Sequence, residues 1–226
     1  MSSNARSFVI GIPVYQGVDL MDVAAPREMF SWMGENWSAQ GTVRVLCVAE
    51  RVELVTTRDG FRILPDATFC QVPRVDLLWV PGGDVDALQR EMQNQAFLGH
   101  LRAWARTARW VTSVCEGAML LAAAGLLTGY QATTHWNFLH CLAEYPVEVI
   151  GGDGYFPRFW VDDRKPGPVR VTGAGISAGL DEALELVRRI AGQAVGDQVQ
   201  QVTQYYPDPP FLAPTPDLSG CPLDPA

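Results

Sequence analysis

No two cysteines in this chain form a C-x-x-C pair. The five that occur are scattered: Cys47, Cys70, Cys115, Cys141 and Cys221. Neither a zinc knuckle nor a redox dithiol is indicated. Five reduced thiols in a reducing compartment are the simplest expectation. Histidine is equally sparse. His100, His135 and His140 stand at unrelated places and show no metal-ligand spacing, so no metal site is expected. No apolar run reaches the roughly 18 residues of a membrane span. No basic cluster offsets a formal charge of −8, which argues against nucleic acid or an anionic membrane as partner. The opening MSSNARSFVIGIPVY has no long apolar segment after its arginine, so no secretory leader is expected and a cytoplasmic location is.

What is present suits one large domain. Of 226 residues, 48% are apolar and 19% charged, enough for a sizeable core. The domain is expected to run to about Phe211, with 212–226 as a proline-rich, irregular tail. Phe8–Tyr15 (FVIGIPVY) reads as a strand buried on both faces. Val43–Ala49 and Val75–Val80 read similarly, and Val52–Thr57 with Phe61–Leu64 reads as a hairpin around Asp59-Gly60. Helical spacing appears from Asn94 to Thr107, over Asn137–Glu144, after Gly173–Ser177, and over Ala194–Gln204. Strands alternating with helices predict an α/β fold: a doubly wound, mostly parallel sheet with helices on both faces.

The chain is organised around Arg109–Trp136. A β-branched run, Trp110 to Val114, meets Cys115-Glu116-Gly117 and then an apolar helix. The pattern S-x-C-x-G is the cysteine counterpart of a nucleophile elbow. A helix N-terminus there favours thiolate over thiol. The alternative is a buried structural cysteine. Ligands of open α/β sheets bind beyond the carboxyl ends of the strands. Asp22, Gly82-Gly83 and Cys115 all fall at such ends, so they are expected to converge. Cys115 would be the nucleophile. The Gly83 and Glu116 N–H groups would stabilise developing negative charge. Asp22 would act as acid or base, unless it merely caps the helix that follows. His135, between Thr134 and Trp136, reads as a hydrogen-bonded, partly buried residue. Trp136, Tyr155, Phe156 and Trp160 are candidates for lining the pocket.

These residues resemble the ThiJ/PfpI superfamily, of class I glutamine-amidotransferase-like, flavodoxin-like fold. The elbow, Ala122–Gly129 and Ala132-Thr133-Thr134-His135-Trp136 carry the likeness. Within the superfamily the chain is most similar to the cyclohexyl-isocyanide hydratase group. The shared features there are Asp22-x-x-x-Pro26, Pro81-Gly82-Gly83, the glycine-rich Gly173–Gly179 and the ending Tyr205–Phe211. The resemblance implies that Cys115 attacks the terminal carbon of an isocyanide while Asp22 moves the proton, releasing an N-substituted formamide with no cofactor. It also implies a homodimer. Those hydratases carry threonine directly after the cysteine, whereas this chain has Glu116. A second carboxyl beside Asp22 either keeps one acid protonated or marks another substrate. Three other readings stay open: a non-enzymatic sensing domain like those of some helix-turn-helix regulators, a peptidase or deglycase, and an oxidation sensor.

Overall fold

The computed structural model describes residues 7–37, 41–215, 218 and 220–223. Its strands are β1 (Phe8–Pro13), β2 (Val43–Ala49), β3 (Val55–Thr56), β4 (Arg62–Ile63), β5 (Ala67–Thr68), β6 (Leu77–Val80), β7 (Trp110–Ser113), β8 (Gln131–Ala132), β9 (Glu148–Val149), β10 (Phe159–Asp162) and β11 (Val169–Gly173). Its helices are α1 (Leu20–Asn36), α2 (Val85–Gln93), α3 (Gln95–Ala105), α4 (Gly117–Ala123), α5 (Leu139–Leu142), α6 (Ala178–Ala191) and α7 (Gln193–Thr203).

Seven strands form the main sheet in the order β10-β11-β7-β6-β1-β2-β5. All pair in parallel except the edge strand β10, which runs antiparallel to β11. The expected doubly wound α/β architecture is therefore what the chain adopts. The most apolar runs, β1, β6 and β7, lie side by side in the middle, where both faces are covered. α1, α6 and α7 pack together as one layer, and α2, α3 and α4 as the other. Close layering needs a residue without a side chain at Gly11, where a Cβ would come within 2.7 Å of the Trp104 ring and of Val75.

The hairpin around Asp59-Gly60 forms, as β3 and β4, but only two residue pairs long. The helix read from Asn94 starts at Gln95, with the Asn94 side chain accepting from Ala96 and Phe97 N–H. α2 precedes it unexpectedly, capped by Asp84 on Asp86 and Ala87 N–H. The helix read over Asn137–Glu144 is shorter, a 3-10 turn followed by α5.

One expectation is overturned. The cysteines are not all reduced: Cys141 of α5 is joined to Cys221 of the tail, 80 residues on. Cys47, Cys70 and Cys115 remain as free thiols. The tail has no regular structure among its described residues, yet it wraps back onto the domain. Leu218 O lies 3.2 Å from His140 Nε2, and Leu223 O accepts from Gln89 Nε2. Closing so long a loop removes about 4–5 kcal/mol of unfolded-chain entropy in the simplest treatment. Among the described residues, no helix is long and apolar enough to cross a membrane.

Candidate active site

β7 ends at Ser113, and the backbone reverses through Cys115, a non-glycine residue held at φ 56°. That left-handed conformation costs an L-residue on the order of 1–2 kcal/mol, so the surroundings must fix it. They do so from three sides. Val114 N–H donates to Val80 O, Cys115 N–H to Ala174 O, and the Thr134 hydroxyl to Cys115 O. Gly117 is required because a Cβ there would strike the Val80 carbonyl. The elbow read from Ser113–Gly117 is thus a real strand-to-helix reversal.

Asp22 reaches the elbow from α1. It is Asp19, not Asp22, that caps this helix, accepting from Met21 N–H at 3.0 Å. The duty of capping is therefore discharged one turn earlier, and Asp22 turns inward, fully buried. Pro26 explains the next contact. Proline has no N–H, so the Asp22 carbonyl four residues back loses its helical donor. The Trp79 indole N–H fills that place at 2.9 Å. The Asp-x-x-x-Pro spacing is in this way tied to a tryptophan on β6. Trp79→Phe should cost about 1–3 kcal/mol by orphaning that carbonyl. Adding Pro26→Ala to that variant should recover part of the loss, because alanine at this position supplies the missing N–H. A urea double-mutant cycle measures this; strictly additive losses would contradict it.

The thiol of Cys115 and the carboxylates of Asp22 and Glu116 offer ligand atoms that all lie within 4.8 Å of one another. The expected convergence of Asp22 and Cys115 is thus met in geometry. Gly82 lies at the site. Its N–H donates to Asp22 Oδ2 at 2.9 Å, and a Cβ on it would collide with the Glu116 carboxylate and press on Cys115. At Gly83 a Cβ would meet Gly17 O, Tyr15 Oη and Val18, to which Gly83 is bridged.

The electrostatics differ from the sequence expectation. Cys115 is buried, 1% exposed, and burial pushes its thiol well above the ordinary cysteine range. Asp22 and Glu116 push it the same way, and Glu116 also hydrogen-bonds it; only the Ile176 N–H opposes them. These influences favour the neutral thiol, against the thiolate that the helix N-terminus favours. Burial also lifts Asp22 well above the usual carboxylate range, reinforced by Asp19 and Glu116 against the Gly82 N–H and Arg58. His135 is held low by burial against the pull of Glu116. Its Nδ1 accepts from Asn137 N–H, which leaves the ring proton on Nε2.

A deeper acid lies below. Glu182 of α6 is wholly buried, and neither carboxyl oxygen has a hydrogen-bond partner among the described residues. Burial and then Asp22 lift its pKa well above the ordinary value. The folded chain therefore holds a proton that the unfolded chain releases above about pH 4.3. From there, stability falls as pH rises toward the folded pKa. Glu182→Met should stabilise the protein by about 1–3 kcal/mol at neutral pH, with the gain shrinking toward pH 4. Urea midpoints across pH check this, and a destabilised Met variant would contradict it.

A cavity of about 320 Å³ opens beside the elbow. Thr134, Ala174 and Ile176, which hold Cys115, form one wall; Met21, next to Asp22, forms another. Trp136 and Phe156 line it as expected. Tyr155 instead lies on the surface, and Trp160 donates to Gln131 outside the cavity. The lining is mostly hydrocarbon, and suits a small apolar ligand with one reactive end. The contributions of Trp79, Ile176 N–H and Glu182 carry no motif in the sequence.

Comparison with known proteins agrees with this fold. Isonitrile hydratase from Pseudomonas putida is 34% identical over 93% of this chain and 84% of its own length. The HTH-type transcriptional regulator GbdR of Pseudomonas aeruginosa is 32% identical over 67% of this chain but 38% of its own length. A solved THiJ/PfpI family protein from Pseudomonas syringae superposes with TM-score 0.80 at 32% identity, covering 93% of this chain and 80% of that one. The model of the DJ-1/PfpI family matches residues 9–189, from β1 into α6, and with the elbow, the inward acid and the sheet order in place, the chain belongs to that family.

Proposed function

We propose that the protein is an isocyanide hydratase-like enzyme that adds water to R–N≡C through a covalent bond to Cys115. The observation that carries this reading is the meeting of the Cys115 thiol with the carboxyls of Asp22 and Glu116 beside an apolar cavity. The likeness to isonitrile hydratase over most of both chains supports it.

An isocyanide carbon accepts a proton and a nucleophile at the same atom. Asp22, kept protonated by burial, gives its proton to that carbon as the Cys115 sulfur bonds to it. The thiol proton passes to the Glu116 carboxylate that hydrogen-bonds it. The product is the thioimidate R–N=CH–S–Cys115. Asp22, now a carboxylate, takes a proton from water as the hydroxide adds to the carbon. Glu116 returns its proton to the nitrogen. The C–S bond then breaks, the new hydroxyl proton goes to sulfur, and R–NH–CHO leaves with every residue restored. In this scheme Glu116 does the work of a base, for which the hydratases' threonine is not equipped. The R group occupies the hydrocarbon wall of Trp136 and Phe156.

An oxidation sensor fits less well, because such cysteines are exposed and of low pKa, and Cys115 is neither. We also propose that the enzyme works as a homodimer. Exposed Phe61 and Leu64, beside Leu20 and Val23 of α1, offer apolar surface for such an interface. The test of the activity is direct: incubation with cyclohexyl isocyanide should yield N-formylcyclohexylamine. No formamide above the uncatalysed background would refute the proposal.

A further inference from the structure

The same corner of the molecule has a second property that hydration does not use. Cys115 Sγ, an Asp22 carboxylate oxygen and a Glu116 carboxylate oxygen lie within 4.8 Å of one another, contributed by the elbow and by α1. Asp22 has no exposed surface. Its Oδ2 takes the Gly82 N–H, and its Oδ1 has no hydrogen-bond partner among the described residues. An orphaned carboxylate oxygen in a sealed position is costly unless something fills the space before it. Arg58, the guanidinium that acts on Asp22, is already paired with Asp19 at 3.2 Å.

We infer that this trio is a binding site for one thiophilic divalent cation of the zinc class. One sulfur and two oxygens from different side chains match the donors that zinc accepts. Zn–S and Zn–O bonds of about 2.3 and 2.0 Å put tetrahedral donors about 3.5 Å apart, so the trio needs to close by about 1 Å. Glu116, partly exposed, has the torsional freedom to do this. Three protein donors leave the fourth tetrahedral position for water. On binding, the thiol proton and the Asp22 carboxyl proton are both released to solvent, and the sulfur and the Asp22 carboxylate donate lone pairs to the metal. The sulfur is then no longer a free nucleophile, so metal binding and covalent chemistry exclude each other. Histidine spacing, the usual sign of such a site in sequence, gives no warning of this set, which contains no histidine. The carboxylate that completes it, Glu116, stands where the hydratases have threonine.

The inference goes beyond the hydratase reading and does not need it. Its test is spectroscopic. Titrating the full-length protein with Co²⁺ should raise a near-ultraviolet thiolate-to-cobalt charge-transfer band that saturates at one equivalent and is displaced by Zn²⁺. Cys115→Ser should abolish the band while circular dichroism stays native. Glu116→Thr, which keeps thiol and Asp22, should weaken Co²⁺ binding by about 10-fold or more. No band in folded wild-type protein would overturn the inference. So would an undiminished band in Cys115→Ser, which would assign it to Cys47 or Cys70, or unchanged affinity in Glu116→Thr. A protein that binds cobalt but turns over no isocyanide would refute the hydratase reading alone.

Discussion

Cys115→Ala is expected to lower the rate of formamide production from cyclohexyl isocyanide by about 10⁴-fold or more, because removing a covalent nucleophile leaves only binding and proximity. The fold should survive. Cys115 is buried, but its strained backbone is held by bonds from its own N–H and C=O, which alanine keeps. Loss of rate without loss of structure would place the sulfur in the chemistry. Cys47→Ala should serve as the contrast. Cys47 is also buried, but Arg27 and Asp66 occupy its surroundings, far along the chain from the elbow. Its replacement should leave turnover within about two-fold, since it touches no reacting group. Retained turnover in Cys115→Ala would end the covalent mechanism.

The second large effect concerns the acid. Asp22→Asn preserves volume and the acceptor for Gly82 N–H but removes the transferable proton. Turnover should fall by about 10²–10⁴-fold, the usual worth of a positioned general acid. The pH dependence carries the sign. Burial, with Asp19 and Glu116, raises Asp22, so it is protonated, and competent as an acid, below its elevated pKa. The wild-type rate should therefore decline as pH rises through that elevated pKa. Cys115 is raised as well, so the scheme requires no thiolate at rest, and the rate should not climb with pH as it would for a preformed thiolate. Initial rates of wild type and Asp22→Asn over pH decide this. A wild-type rate rising steadily with pH would favour the thiolate picture over the acid-first one. In Asp22→Asn the alkaline decline should disappear.

The parts of this site that can be read in the sequence are those written in local pattern. The run FVIGIPVY is a buried central strand because its side chains suit apolar surroundings on both faces. Ser113–Gly117 bends because small residues stand where backbone must pass close to backbone, as Gly117 does beside Val80. Asp22 is legible as an acid beyond the carboxyl end of the first strand, with Asp19 in the same turn. That Asp19 takes the cap while Asp22 goes inward depends on β6, which brings Trp79 to the carbonyl freed by Pro26. The ionisation state escapes the sequence for a similar reason. A helix N-terminus is visible there and argues for thiolate, whereas burial and two convergent carboxyls, which push the other way, are tertiary facts. The link between Cys141 and Cys221 spans 80 residues, and no spacing rule reaches so far. Glu182 reads as one more acid near a helix start. Only its packing against Gly173 shows it to be enclosed and unpartnered among the described residues.

The central claim is a covalent one, and acid-quench mass spectrometry of the wild-type enzyme during turnover of cyclohexyl isocyanide tests it most directly. The account predicts a transient mass gain of one intact isocyanide on the peptide that carries Cys115, decaying as formamide appears. Formamide accumulating with no such adduct at any quench time, or with the adduct on Cys47 or Cys70 instead, would contradict it.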